Sequence, residues 1–133
     1  MLSKSLFEGN KMKGKLGQYP FTAENLVRVG LALCTYLKIS KEIEKPLVVA
    51  KEANFITLAV LVGFMSGGGD AIIGAGEGHL ELKSLSADEE ELYIYGLEEH
   101  ELKMVESILF SRYNMPRAKG EEVGSVWIQE KKP

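Results

Sequence analysis

Between Lys45 and Gly76 the chain reads KPLVVAKEANFITLAVLVGFMSGGGDAIIGAG, and this stretch limits the fold more than any other. Two short apolar runs, Leu47 to Ala50 and Ala71 to Ile73, flank a longer apolar segment. Neither run alternates with polar residues. Strands read that way when both faces are covered, as in a parallel sheet joined by a helical crossover. The segment between them predicts a helix from about Ile56 to Ser66. Ile56, Leu58, Val60, Leu61, Phe64 and Met65 spread around its circumference, which predicts a helix buried against a sheet. Gly67, Gly68 and Gly69 then end it, because glycine takes positive φ at little cost. The expected core is one right-handed βαβ unit.

The flanking segments extend this unit. Thr22 can cap a helix, with Phe21 stapled onto Leu26, and Leu26, Val29, Leu33 and Leu37 hold one face beside Gly30 and Cys34. After Ile73, Gly74-Ala75-Gly76-Glu77-Gly78 invites a dinucleotide reading. That reading needs a helix next, to aim its dipole at a phosphate. Instead His79 to Ser86 alternates Leu80 and Leu82 with Glu81 and Lys83, a strand period, so the glycines read as a plain turn. Asp88 to Glu91 is a four-acid run before a further strand, Leu92 to Tyr95, and reads as a solvated hairpin turn rather than a metal site. A last helix near Glu98 to Tyr113 buries Leu102, Val105, Ile108 and Leu109, with Glu98, Glu99 and Glu101 favoured in its first turn. Residues 1–20, with Gly9, Gly14, Gly17 and Pro20, read as an opening loop. Residues 114–133 read as a polar tail with Val123, Val126, Trp127 and Ile128 as its apolar anchors. The fold class expected is α/β: one domain over 1–133, a three-layer α/β/α arrangement on a mixed, mostly parallel sheet of about four strands.

Composition excludes several functions. With 45% hydrophobic and 26% charged residues the chain can build a core and is not a disordered one. A net charge of −3 and acids interspersed among the lysines give no basic face for nucleic acid. No apolar run approaches the ~18 residues of a membrane span, and the start lacks a signal-peptide core, so a cytoplasmic location is expected. Cys34, the single cysteine, falls on an apolar helix face and is expected to pack as a small hydrophobe in a reducing compartment. His79 and His100 have no partner at ligand or triad spacing and read as surface residues.

Taken in order, the pieces resemble the first domain of the α-D-phosphohexomutases, the phosphoglucomutase and phosphomannomutase family. The family opens with a motif close to FGTDGIRG; this chain has FEGNKMKG from Phe7 to Gly14. Its first helix is introduced like YPLTPELALRLGRALATYLK, against YPFTAENLVRVGLALCTYLK from Tyr19 to Lys38. The family strand VVVGRDTR is similar to LVVAKEAN at Leu47 to Asn54, and LLSAGVDVIDLG to FMSGGGDAIIGAG at Phe64 to Gly76. The family's NGIKLFG and basic linker resemble ELYIYG at Glu91 to Gly96 and PRAKGEEVG at Pro116 to Gly124. The resemblance covers nearly the whole chain and implies the α/β/α fold of that domain.

Its departures bear on function. Just before NGIKLFG the family carries a loop like TASHNP, whose serine holds the transferred phosphate. Here Glu77 to Asp88 occupies that region, with Ser84 and Ser86 as candidates for the phosphoserine position but no following His-Asn-Pro. The metal loop with three aspartates, the sugar-recognition loop and the phosphate-binding C-terminal domain have no counterpart in this sequence. Lys13 and Lys51 stand where the family has arginine forks for phosphate, and Asn54 stands where it has another arginine. Phosphoryl transfer depends on positioning and charge neutralisation around the phosphate. The resemblance therefore implies a non-catalytic, mutase-like domain that binds a protein, either itself or a mutase-like protein, or regulates one. The alternatives are one part of a split phosphohexomutase, active only with partner domains, and a phosphosugar-binding domain using Lys11, Lys13 and Lys51. No cofactor is expected for the chain alone and no metal ligand is assigned; Mg²⁺ enters only if the chain completes an active mutase. A homodimer is expected through Leu92 to Tyr95 or the Trp127 tail.

Overall fold

A computed structural model describes residues 5–74, 83–88 and 90–117. The elements are β1 (Lys11–Lys13), α1 (Ala23–Ile39), β2 (Leu47–Ala50), α2 (Phe55–Ser66), β3 (Asp70–Ile73), β4 (Lys83–Ala87), β5 (Glu91–Tyr95) and α3 (Glu99–Ser111). They form an α/β domain whose five strands run in the order β1-β5-β4-β2-β3.

The βαβ unit is present: β2 and β3 are parallel, with Val48 opposite Ala71 and Ala50 opposite Ile73. The hairpin is also present, Leu85 facing Ile94 and Ala87 facing Leu92 in antiparallel register. β4 joins the two by pairing parallel to β2. The glycine run that invited the dinucleotide reading lies mostly outside the described residues; the strand that follows, Lys83–Ala87, is not a helix.

The opening segment is not all loop. Lys11–Lys13 is a fifth strand, antiparallel to β5, with Met12 opposite Leu92. Three residues with one apolar member carry too little alternation to be read as a strand; pairing with a partner eighty residues away makes it one. The sheet is consequently half parallel and half antiparallel rather than mostly parallel.

Register sorts the side chains onto two faces. Met12, Val48, Ala50, Leu85, Ala87, Leu92 and Ile94 share one face, and all are buried in a single core with residues of the three helices. α1 lies between α2 and α3, touching both. The helices thus stand side by side against the sheet. α1 starts where Thr22 Oγ1 accepts the Asn25 N–H at 3.2 Å. Cys34 is fully buried in it, as expected of a small hydrophobe, and burial raises its thiol pKa. Among the described residues no helix is long and apolar enough to cross a membrane.

Two expectations about surfaces change. α2 is apolar all round but not buried all round: Phe55, Leu58, Val62 and Met65 are 42–50% exposed. One side of a helix can meet the sheet and a second side α1; apolar composition alone does not provide a third neighbour. β5 is also not an edge. It lies between β1 and β4, and Leu92 and Ile94 point into the core. With a neighbour on each side, β5 offers no free backbone edge along Leu92 to Tyr95; Trp127 lies outside the described residues.

Candidate functional site

The sheet face away from the helices gathers most of the residues singled out from sequence. Lys11 is in register with Tyr93, Tyr93 with Ser86, and Lys13 with Glu91. Ser84 is in register with Val49 and Tyr95. Tyr93 and Tyr95, two residues apart on one strand, stack with ring centroids 6.2 Å apart. Lys11 Nζ lies 6.0 Å from the Tyr93 centroid and Lys51 Nζ 4.5 Å from that of Tyr95, within cation–π reach. The five proposed positions therefore do converge on one face. The side chains of Lys11, Lys51 and Ser86 are engaged with the protein, however. Lys11 Nζ also pairs with Glu91 at 3.3 Å. Glu91 in turn accepts the Tyr93 hydroxyl; that bond first, then burial, pushes the Tyr93 pKa up to about 12. The same hydrogen bond lowers the Glu91 pKa against an opposing effect of burial.

The polar centre lies at the carboxyl ends of β2 and β4. β2 continues through a crossover to β3 on one side and has β4 on its other side, so the strand order switches here. In open α/β sheets this crevice is where ligands bind. The loop Lys51–Asn54 follows β2 into it. Glu52 Oε2 accepts the Ser86 hydroxyl at 2.8 Å and also the Ala87 backbone N–H. Asn54 Nδ2 donates to the Ala87 carbonyl at 2.7 Å, and Lys51 N–H to the Leu85 carbonyl at 2.8 Å. The crevice is closed by the chain's own groups.

The N-terminus of α2, beside it, is closed as well. Asn54 Oδ1 accepts the Thr57 N–H at 3.0 Å while Thr57 Oγ1 accepts the Asn54 N–H at 3.0 Å, a reciprocal capping box. Asn54 is thus a helix cap and a strand-to-loop tie. Asn54→Ala removes the cap and the bond to Ala87 together. A loss of about 2 kcal/mol in urea unfolding is expected, against the ~1 kcal/mol of an ordinary cap; a loss under half that would mean the tie to β4 contributes nothing.

A scan against protein-family models and a search of curated proteins both return no match.

Other candidates resolve simply. Asp88 Oδ1 accepts the Glu90 and Glu91 N–H groups at 2.9 Å, so the acidic run makes a hydrogen-bonded turn into β5. Among the described residues no three His, Cys, Asp or Glu side chains converge. His100 is exposed, 3.5 Å from Glu98; His79 lies outside the described residues. Sequence reasoning missed Glu52, which meets Ser86 from thirty-four residues away. Its one sequence signal is position: it directly follows a buried parallel strand, at the end where α/β sheets place functional groups.

Proposed function

We propose that this chain is a non-catalytic α/β domain, similar to the first domain of the phosphohexomutases, that works by binding protein. The observation that carries this reading is the Glu52 carboxylate against Ser86. A serine that holds a transferred phosphate needs cations and backbone N–H groups around its oxygen. Ser86 has an acceptor there instead. Glu52 occupies both the hydroxyl proton and the adjacent Ala87 N–H, so a phosphate on Ser86 would meet a negative charge at hydrogen-bond distance. Of the lysines on that face, Lys11 is paired to Glu91 and Lys51 lies over Tyr95.

The purified chain is expected not to interconvert glucose 1-phosphate and glucose 6-phosphate, nor the mannose pair. The assay is a coupled one with Mg²⁺ and a hexose 1,6-bisphosphate primer. Turnover lost in both Ser84→Ala and Ser86→Ala, or in either alone, would overturn the reading. Turnover that appears only after a protein carrying further mutase-like domains is added would instead support one part of a split phosphohexomutase. Saturable binding of a hexose phosphate, weakened by Lys51→Ala, would favour the phosphosugar-binding alternative.

A further inference from the structure

We infer that the partner is a second copy of this chain, joined edge to edge through β3 with the two α2 helices packed beside the new strand pair. This deepens the protein-binding reading by naming what is bound.

The sheet has two edges, and they differ. β1 is three residues long and places Lys11 and Lys13 around a single apolar residue, a protected edge. β3, Asp70-Ala71-Ile72-Ile73, has no lysine, no proline and no bulge. Its hydrogen bonds to β2 include the Asp70 N–H to the Pro46 carbonyl and the Gly74 N–H to the Ala50 carbonyl. By alternation the N–H and C=O groups of Ala71 and Ile73 point away from β2. They have no backbone partner among the described residues.

Beside this edge runs the uncovered side of α2. Phe55, Leu58, Val62 and Met65 follow one another at helical spacing, and α2 has no charged residue from Phe55 to Ser66. At about 100° per residue the four residues stand about 80° to 160° round the helix from Gly63, the point where α1 crosses, all on the same side, so the stripe turns away from α1. On the strand itself Ile73, 50% exposed, shares the helix face with Ala71, and Ile72, 46% exposed, lies on the opposite face.

The patch matches a homodimer in both size and symmetry. Six large side chains about half exposed, five on the helix side of the edge and Ile72 on the other, amount to on the order of 500 Å² of apolar surface. A standard interface takes ~800 Å² from each partner, and about 65% of a homodimer interface is apolar. The two quantities agree. A two-fold axis through Ile72 would set Ala71 opposite the partner's Ile73, satisfying the outward N–H and C=O groups of both strands in four hydrogen bonds. Asp70 would then face the partner's Gly74, so no like charges meet.

Light scattering at high micromolar concentration should give a dimer. Met65→Glu on the helix and Ile72→Lys on the strand change exposed residues, and each should weaken the dimer about 30-fold or more. Tyr95→Ser, on the interior strand β5, should leave it intact. In the wild-type chain, amide exchange at Ala71 and Ile73 should slow as concentration rises, a readout that needs no variant. A monomeric wild type, or amide exchange at Ala71 and Ile73 independent of concentration, would overturn the inference. So would a dimer that survives both substitutions. None of these outcomes touches the mutase assay, so the non-catalytic reading would fail or stand separately.

Discussion

Gly63→Ala should destabilise the protein by about 3 kcal/mol, lowering its melting temperature by roughly ten degrees, although the change adds a single methyl group. A Cβ at Gly63 would stand 1.9 Å from the Val27 carbonyl oxygen and 2.7 Å from its carbonyl carbon. Both are backbone atoms, so no side chain can swing aside and the two helices must separate. Two effects oppose each other here. Alanine improves intrinsic helix propensity by about 1 kcal/mol, whereas forcing apart a packed crossing costs 1–3 kcal/mol or more. At under 2 Å from backbone the second effect wins. Gly30 makes the reciprocal contact, its Cβ position lying 2.0 Å from the Val60 carbonyl oxygen. Because one separation of α1 from α2 relieves both clashes, the double variant should cost less than the sum of the two singles. Gly67→Ala is the control: its φ is −82° and its nearest contact is the Cys34 side chain at 3.2 Å. Melting of Gly63→Ala within two degrees of wild type, by circular dichroism, would show that the crossing is looser than described (about half a kcal/mol).

Glu101 carries the second large effect, and its signature is a pH dependence. The residue is 7% exposed, on the first turn of α3. Lys41 Nζ donates to it at 2.8 Å, the Tyr36 hydroxyl at 2.9 Å and the Glu98 N–H at 2.9 Å. Burial by itself would raise the carboxyl pKa. The three donors and the Lys41 charge outweigh it and hold the pKa at about 2, below the ordinary 4.5. A carboxyl depressed on folding stabilises fully above its unfolded pKa and loses that contribution as pH falls through the folded one. The window is therefore pH 4.5 down to about 2. With Lys41 partly exposed and its charge screened, the amount is on the order of 2 kcal/mol. Tyr36 works in the opposite sense. Burial first, then the bond to Glu101 and its charge, raise the phenol to about 12, so its contribution is present below pH 10 and lost as pH climbs through 12. Glu101→Ala leaves the buried Tyr36 hydroxyl without its acceptor and should cost about 3 kcal/mol at neutral pH. The same variant should flatten stability between pH 4.5 and 2. Urea unfolding of both proteins across that range tests it; parallel curves would mean another carboxylate governs the acid limb.

These two sites show why part of the protein was legible in its sequence and part was not. The crossover unit was legible because its signals are local: apolar runs of strand length, a helical stretch between them and glycines to stop it. The same holds for the Thr22 cap and the acidic turn at Asp88, where donor and acceptor lie within three residues of each other. β1 was not legible, because a three-residue strand exists only through its partner. Fourteen glycines are visible in the chain, yet only the crossing of two helices brings backbone to within about 2 Å of where a Cβ would stand on Gly30 and Gly63. The apolar composition of α2 likewise predicted burial on every side, and the number of neighbours the fold provides left one stripe uncovered. The candidate site divides the same way. Lys11, Lys51, Ser84 and Ser86 were marked by residue type and position, and strand register did bring them to one face. What Ser86 meets there depends on how the loop after β2 lies against β4, thirty-four residues along the chain. That long-range placement supplies a carboxylate, and composition and spacing carry no information about it.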